Sequence, residues 1–168
     1  MNASTGLSLA GVAIALVIMW ANFRPWWRGN RDPKALLPFG AGWLLGALAT
    51  VCVGGALGWG AAGITGLLSK GGNTAVGSLV GTGPAALAST RMGSLTPAGG
   101  IVVCLVLAGV IILHRASGKL DRRRIIGGIA TGAVLGVLPG VAAQLGWLPE
   151  TANMLGAWGA SLGTKAGA

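Results

Sequence analysis

Gly42 to Gly66 reads GWLLGALATVCVGGALGWGAAGITG. Every fourth residue gives Gly42, Gly46, Thr50, Gly54, Gly58, Ala62 and Gly66, all of them small. The registers beside it carry bulk, with Leu44, Leu48 and Cys52 in one and Trp43, Val51 and Trp59 in another. A later stretch repeats the pattern with Gly128, Gly132, Gly136 and Gly140, followed by Gln144. Residues four apart share one helix face. Each run is therefore a groove along an apolar helix. In lipid such a groove admits another backbone closely enough for van der Waals contact to hold the pair. These positions are expected to pack helices and to join chains into a homo-oligomer. Gln144, at the end of the second groove, is read as an interhelical hydrogen-bonding group.

The composition places this helix packing in a bilayer. Of 168 residues 53% are hydrophobic and 9% charged, against about 25% charged in an ordinary soluble domain. Glycine, at 32 residues, has no Gly-x-y period, which excludes a collagen-like chain. The net charge is +9, and the placement of the cations carries more information than their sum. Cys52 and Cys104 lie deep in apolar runs and read as small hydrophobes. No Cys/His spacing suits a metal, and no cofactor is implied. The sole histidine, His114, reads as a polar cap at a membrane edge.

In chain order, residues 6–23 form an uncharged apolar run long enough to span. It lacks the basic n-region and cleavage site of a secretory signal, so it is expected to be an uncleaved first span. The loop 24–34, RPWWRGNRDPK, carries Arg24, Arg28, Arg31 and Lys34. Pro25 and Pro33 are expected to prevent a helix through it. Trp20, Trp26 and Trp27 sit where an aromatic belt belongs. The apolar run 35–68 exceeds one upright span, and a second crossing is expected over 36–60. Residues 69–96 form an outer segment, either a plain loop or one with a short interfacial or re-entrant helix around Val76 to Val80. Thr96-Pro97 reads as a helix start, N-cap then first position, opening a third span over 97–114.

A second basic loop, RASGKLDRRR at 115–124, carries Arg115, Lys119, Arg122, Arg123 and Arg124. The fourth span is expected over 125–148, kinked by Pro139 and closed by Pro149, with an outer tail at 149–168. The two short loops hold nine of the 12 cations. The positive-inside rule then puts both in the cytoplasm and both termini outside the plasma membrane.

Each half follows one plan: apolar helix, basic loop, grooved helix, outer segment. An offset of 90 lays Gly42 on Gly132 and Gly46 on Gly136, as in a parallel repeat about an axis along the membrane normal. The expected fold is thus all-α, an integral membrane protein of four transmembrane helices in two parallel-repeat hairpins, forming a single membrane domain.

Catalysis has little to stand on. Asp32, Asp121 and Glu150 are scattered over loops and interfaces, and no Ser/His/Asp group converges. No ionisable residue lies well inside a span, as an ion path would require. The basic loops suit anionic lipid at about 1 kcal/mol per cation. They also suit sequence-independent phosphate contact with nucleic acid.

The Gly/Ala-rich spans, the two loops RPWWRGNRDPK and RASGKLDRRR, and the segment GGNTAVGSLVGTGPAALAST together resemble the spread (Spd) proteins of actinomycete conjugative plasmids. The resemblance implies a non-enzymatic membrane partner of a DNA-translocating ATPase. On it, Arg122, Arg123 and Arg124 become candidate contacts to DNA or the translocase. The other readings of the chain are an oligomeric, holin-like pore of a mobile element and a small transporter subunit.

Overall fold

Ser8 opens the first helix. Its hydroxyl accepts the Gly11 amide at 3.1 Å, and α1 runs from Leu9 to Arg28. The computed structural model describes residues 7–29, 31–52, 55–80, 86–87 and 92–166. Among these residues the fold is all-helical apart from one short antiparallel pairing, Leu7 with Leu87 and Ser8 with Ala86. A 3-10 turn, Pro33–Leu36, leads into α2, Leu37–Val51. Then come α3 (Gly55–Val80), α4 (Pro97–Ala116), α5 (Lys119–Leu135), α6 (Pro139–Gln144) and α7 (Trp147–Ala166). Among the described residues three stretches are long and apolar enough to cross a membrane: Leu9–Arg28, Pro33–Val51 and Pro97–Ala116.

Several boundaries differ from the sequence expectation. Pro25 lies inside α1. It falls within the last turn, where the missing N–H leaves few helical bonds beyond it to disturb. Residues 24–28 are therefore helical, and Gly29 closes the helix by donating to the carbonyls of Pro25 and Trp26. The span expected over 36–60 ends at Val51, with Cys52 as its C-cap. The segment from residue 69, expected either as a plain loop or with a short helix around Val76 to Val80, is helical up to Val80 as the second half of the 26-residue α3, and residues 81–85 and 88–91 lie outside the described residues. The basic loop at 115–124 shrinks to Ser117 and Gly118, since α5 already begins at Lys119. The span expected over 125–148 is not one helix. Pro139 does more than kink it: it stands at the first position of a separate helix, α6. Pro149 does not close a span but is buried in the first turn of α7, which makes the expected tail a helix. The Thr96-Pro97 start is as expected, with the Thr96 hydroxyl accepting the Gly99 amide at 3.1 Å.

The centre of the molecule is the α2–α5 pair. The two grooves face each other within one chain. A Cβ on Gly42 would overlap the Ile125 carbonyl oxygen, and one on Gly46 the Ile129 oxygen. From the other side, Gly128 abuts the Phe39 oxygen and Gly132 the Trp43 oxygen. Residue numbers rise together along both helices, so the pair is parallel. Only the absence of a side chain at these four positions lets the two backbones come this close.

These contacts recur along the chain. Moved on by 86 positions, Phe39 and Gly42 become Ile125 and Gly128, and Trp43 and Gly46 become Ile129 and Gly132. The outer helices repeat as well. Gly11 abuts Ser69, and Gly99 abuts Asn153; Gly72 abuts Ala10, and Gly156 abuts Ala98. Here the shift is 88 on the first helix of each half and 84 on the later one. The N-caps match too. The Ser8 amide donates to the Ser69 hydroxyl at 3.2 Å, and the Thr96 amide to Asn153 Oδ1 at 2.8 Å. Buried Ala15 clusters with Val134, and their counterparts Val103 and Leu48 share another cluster. The offset of 90 is thus too long by four. A groove with a four-residue period looks the same after a slip of one helical turn.

Candidate cationic interface

Four helix ends meet at one end of the bundle. Phe23 near the end of α1 stacks edge-on with Phe39 at the start of α2, ring centres 5.7 Å apart. Arg124 at the start of α5 donates to the Ala35 carbonyl at 3.1 Å and to Asp121 at 3.2 Å. Arg122 reaches back to the last turn of α4, donating to the carbonyls of Ser117 at 2.9 Å and Arg115 at 3.0 Å. A cation there satisfies orphan carbonyls and suits the helix dipole. Both basic loops are therefore neighbours in space.

The Arg122–Arg124 triplet divides by role. Successive helical residues point about 100° apart. Arg124 turns inward as a staple between α5 and the 3-10 turn, and Arg122 caps α4. The Arg123 side chain is exposed and has no hydrogen-bond or ion-pair partner among the described residues, and the same holds for the side chains of Arg115, Lys119, Arg28 and Lys34. Arg24 lies over the Trp20 ring at 5.0 Å from its centre, and Arg31 over Trp27 at 4.9 Å. The two carboxylates at this end are engaged locally. Asp32 accepts the Lys34 amide at 2.9 Å, and Asp121 holds Arg124.

The packing positions also sort themselves. Gly42, Gly46, Gly128 and Gly132 form the seam. Thr50 and Gly136 continue it, a Cβ on Gly136 coming within 3.2 Å of the Thr50 hydroxyl. Gly58 instead abuts the Cys52 carbonyl, beside the end of α2. Gly140 has nothing near its side-chain position, and Gly54 lies outside the described residues. Gln144 is exposed and bonds no other helix among the described residues.

The two N-cap contacts, Ser8 with Ser69 and Thr96 with Asn153, escaped the sequence reading. Their signal is present: Ser8-Leu9-Ala10-Gly11 and Thr96-Pro97-Ala98-Gly99 both place a capping hydroxyl three residues before a glycine. No protein family, curated protein or solved structure matches this chain.

Proposed function

We propose that this chain is a four-span, non-enzymatic component of a larger membrane assembly, and that it meets a cytoplasmic polyanion through its cationic end. The specific form of the proposal is assistance to DNA transfer beside a DNA-translocating ATPase. One observation carries it: Arg115, Lys119 and Arg123 stand exposed where four helix ends converge, with no carboxylate partner among the described residues. Such a surface suits phosphate contact without sequence readout.

The four-span topology rests on the recurring contacts. Two copies of one unit that lie parallel must each return the chain to its starting side, so each unit crosses an even number of times. On this reading α1 and α2 are the two crossings of the first unit, and α3 stays on the outer side. By the same count α4 and α5 cross, with α6 and α7 outside. The positive-inside rule then puts the cationic end in the cytoplasm.

The test is retention of double-stranded DNA by the full chain in mild detergent. Reversing Arg115, Lys119 and Arg123 to Glu should abolish retention, and a variant that still holds DNA as well as the wild type would end this reading. A translocating ATPase recovered from native membranes by the wild type, and lost on reversal, would supply the partner.

A further inference from the structure

The outward face of α1 is one continuous stripe. Leu9, Ala13, Leu16, Val17, Trp20, Arg24, Trp27 and Arg28 are all exposed and recur at helical spacing. Its upper part is apolar and its foot is cationic. At the foot, Trp20, Arg24, Trp27 and Arg28 frame an open recess of about 390 Å³. Stacking on the Trp20 and Trp27 rings holds the guanidinium groups of Arg24 and Arg31 in place. Their N–H edges remain unused, since neither arginine side chain has a hydrogen-bond or ion-pair partner among the described residues.

The fold does not need this arrangement. Helix α4 makes the matching contacts in the other half, and its corresponding positions are Ala108, Ile112, Arg115 and Ala116. The aromatic and cationic foot is a departure from an otherwise shared plan.

We infer that the stripe is a binding site for one anionic phospholipid, its phosphate between Arg24 and Arg28 and an acyl chain along Val17, Leu16 and Ala13. Guanidinium suits phosphate through paired N–H bonds. Tryptophan belongs at the depth where hydrocarbon gives way to headgroup. From Ala13 to Arg24 the helix rises about 16 Å, close to half of a ~30 Å hydrocarbon core. The inference rests on α1 being a membrane span, and not on DNA binding at Arg115, Lys119 and Arg123.

The test is native mass spectrometry of the full chain, released from detergent holding equal amounts of phosphatidylglycerol and phosphatidylcholine. The wild type should carry phosphatidylglycerol over phosphatidylcholine at least fivefold. R24Q/R28Q should lose that preference, R24K/R28K should keep part of it, and R115Q/R123Q should keep all of it. Circular dichroism checks that each variant remains helical. Equal uptake of both lipids by the wild type, or an undiminished preference in R24Q/R28Q, overturns the site. So does displacement of the lipid by a DNA duplex that binds through Arg24 and Arg28, which would make the stripe a nucleic-acid surface.

Discussion

Gly46 lies against the carbonyl oxygen of Ile129, so closely that no side chain fits between α2 and α5. Gly46→Leu or Gly132→Leu should therefore cost about 3 kcal/mol or more, at the upper end for overpacking, because the obstacle is backbone. Gly63→Leu and Gly109→Leu provide the control, since a Cβ at either position meets nothing within 4 Å. Both should stay within about 0.5 kcal/mol of the wild type. Unfolding by titration with a denaturing detergent measures the difference, and equal losses at all four positions would refute the seam.

Asn153 does two jobs at the start of α4. Its Oδ1 accepts from the Thr96 amide and hydroxyl, and its Nδ2 donates to the Ser94 carbonyl at 3.1 Å. Asn153→Ala should cost about 1–2 kcal/mol and speed amide exchange in the first turn of α4. Ser69→Ala should do the same at the start of α1, by about 1 kcal/mol. Unchanged exchange at both helix starts would mean that these contacts hold nothing.

Arg123 and Arg124 should respond in opposite ways. Arg124→Gln removes the staple to Ala35 and should lower stability by about 1 kcal/mol. Arg123→Gln should leave stability within about 0.5 kcal/mol, while reducing the salt slope of DNA binding by about 1. Thermal unfolding and a salt titration of DNA retention separate the two. A stability loss at Arg123 without a change in slope would contradict the assignment.

A half-open apolar recess of about 190 Å³ lies between α2, α3, α4 and α5, lined in part by Ala49, Gly60, Leu107 and Ile129. The position matching Ala49 in the other half is Leu135, and the one matching Ile129 is Trp43. Ala49→Leu should fill the space and stabilise by about 0.5–1 kcal/mol. A loss of more than about 1 kcal/mol, the mark of overpacking, would show that the two halves pack differently here.

Orientation can be read with cysteines after replacing Cys52 and Cys104 by Ala. Ser117→Cys, in the turn before α5, should react with a membrane-impermeant maleimide only once cells are opened. Ala157→Cys, exposed on α7, should react in intact cells. The reverse pattern would invert the topology.

The grooves, the Thr96-Pro97 start and the clustering of cations into two short stretches of sequence were legible because each is a local pattern. The partner of each groove was not. A run of small residues says that something comes close, not what, and its four-residue period allows a slip of one turn. The end of α2 at Val51 was hidden because hydropathy continues unbroken into α3 and no proline marks the boundary. The separate roles of Arg122, Arg123 and Arg124 were illegible for another reason. Adjacent residues on a helix face different neighbours: Arg122 turns back to nearby Ser117, while Arg124 meets Ala35, 89 residues earlier in the chain.

Contact between a glycine and a carbonyl oxygen constrains how the chain can evolve. Two side chains that touch can change together, one shrinking as the other grows. At Gly42, Gly46, Gly128 and Gly132 the opposing atom belongs to the main chain, which every amino acid carries. No second mutation can make room. These four positions have no compensating partner, so they can be kept or lost but not exchanged, while the exposed residues around them are free to drift.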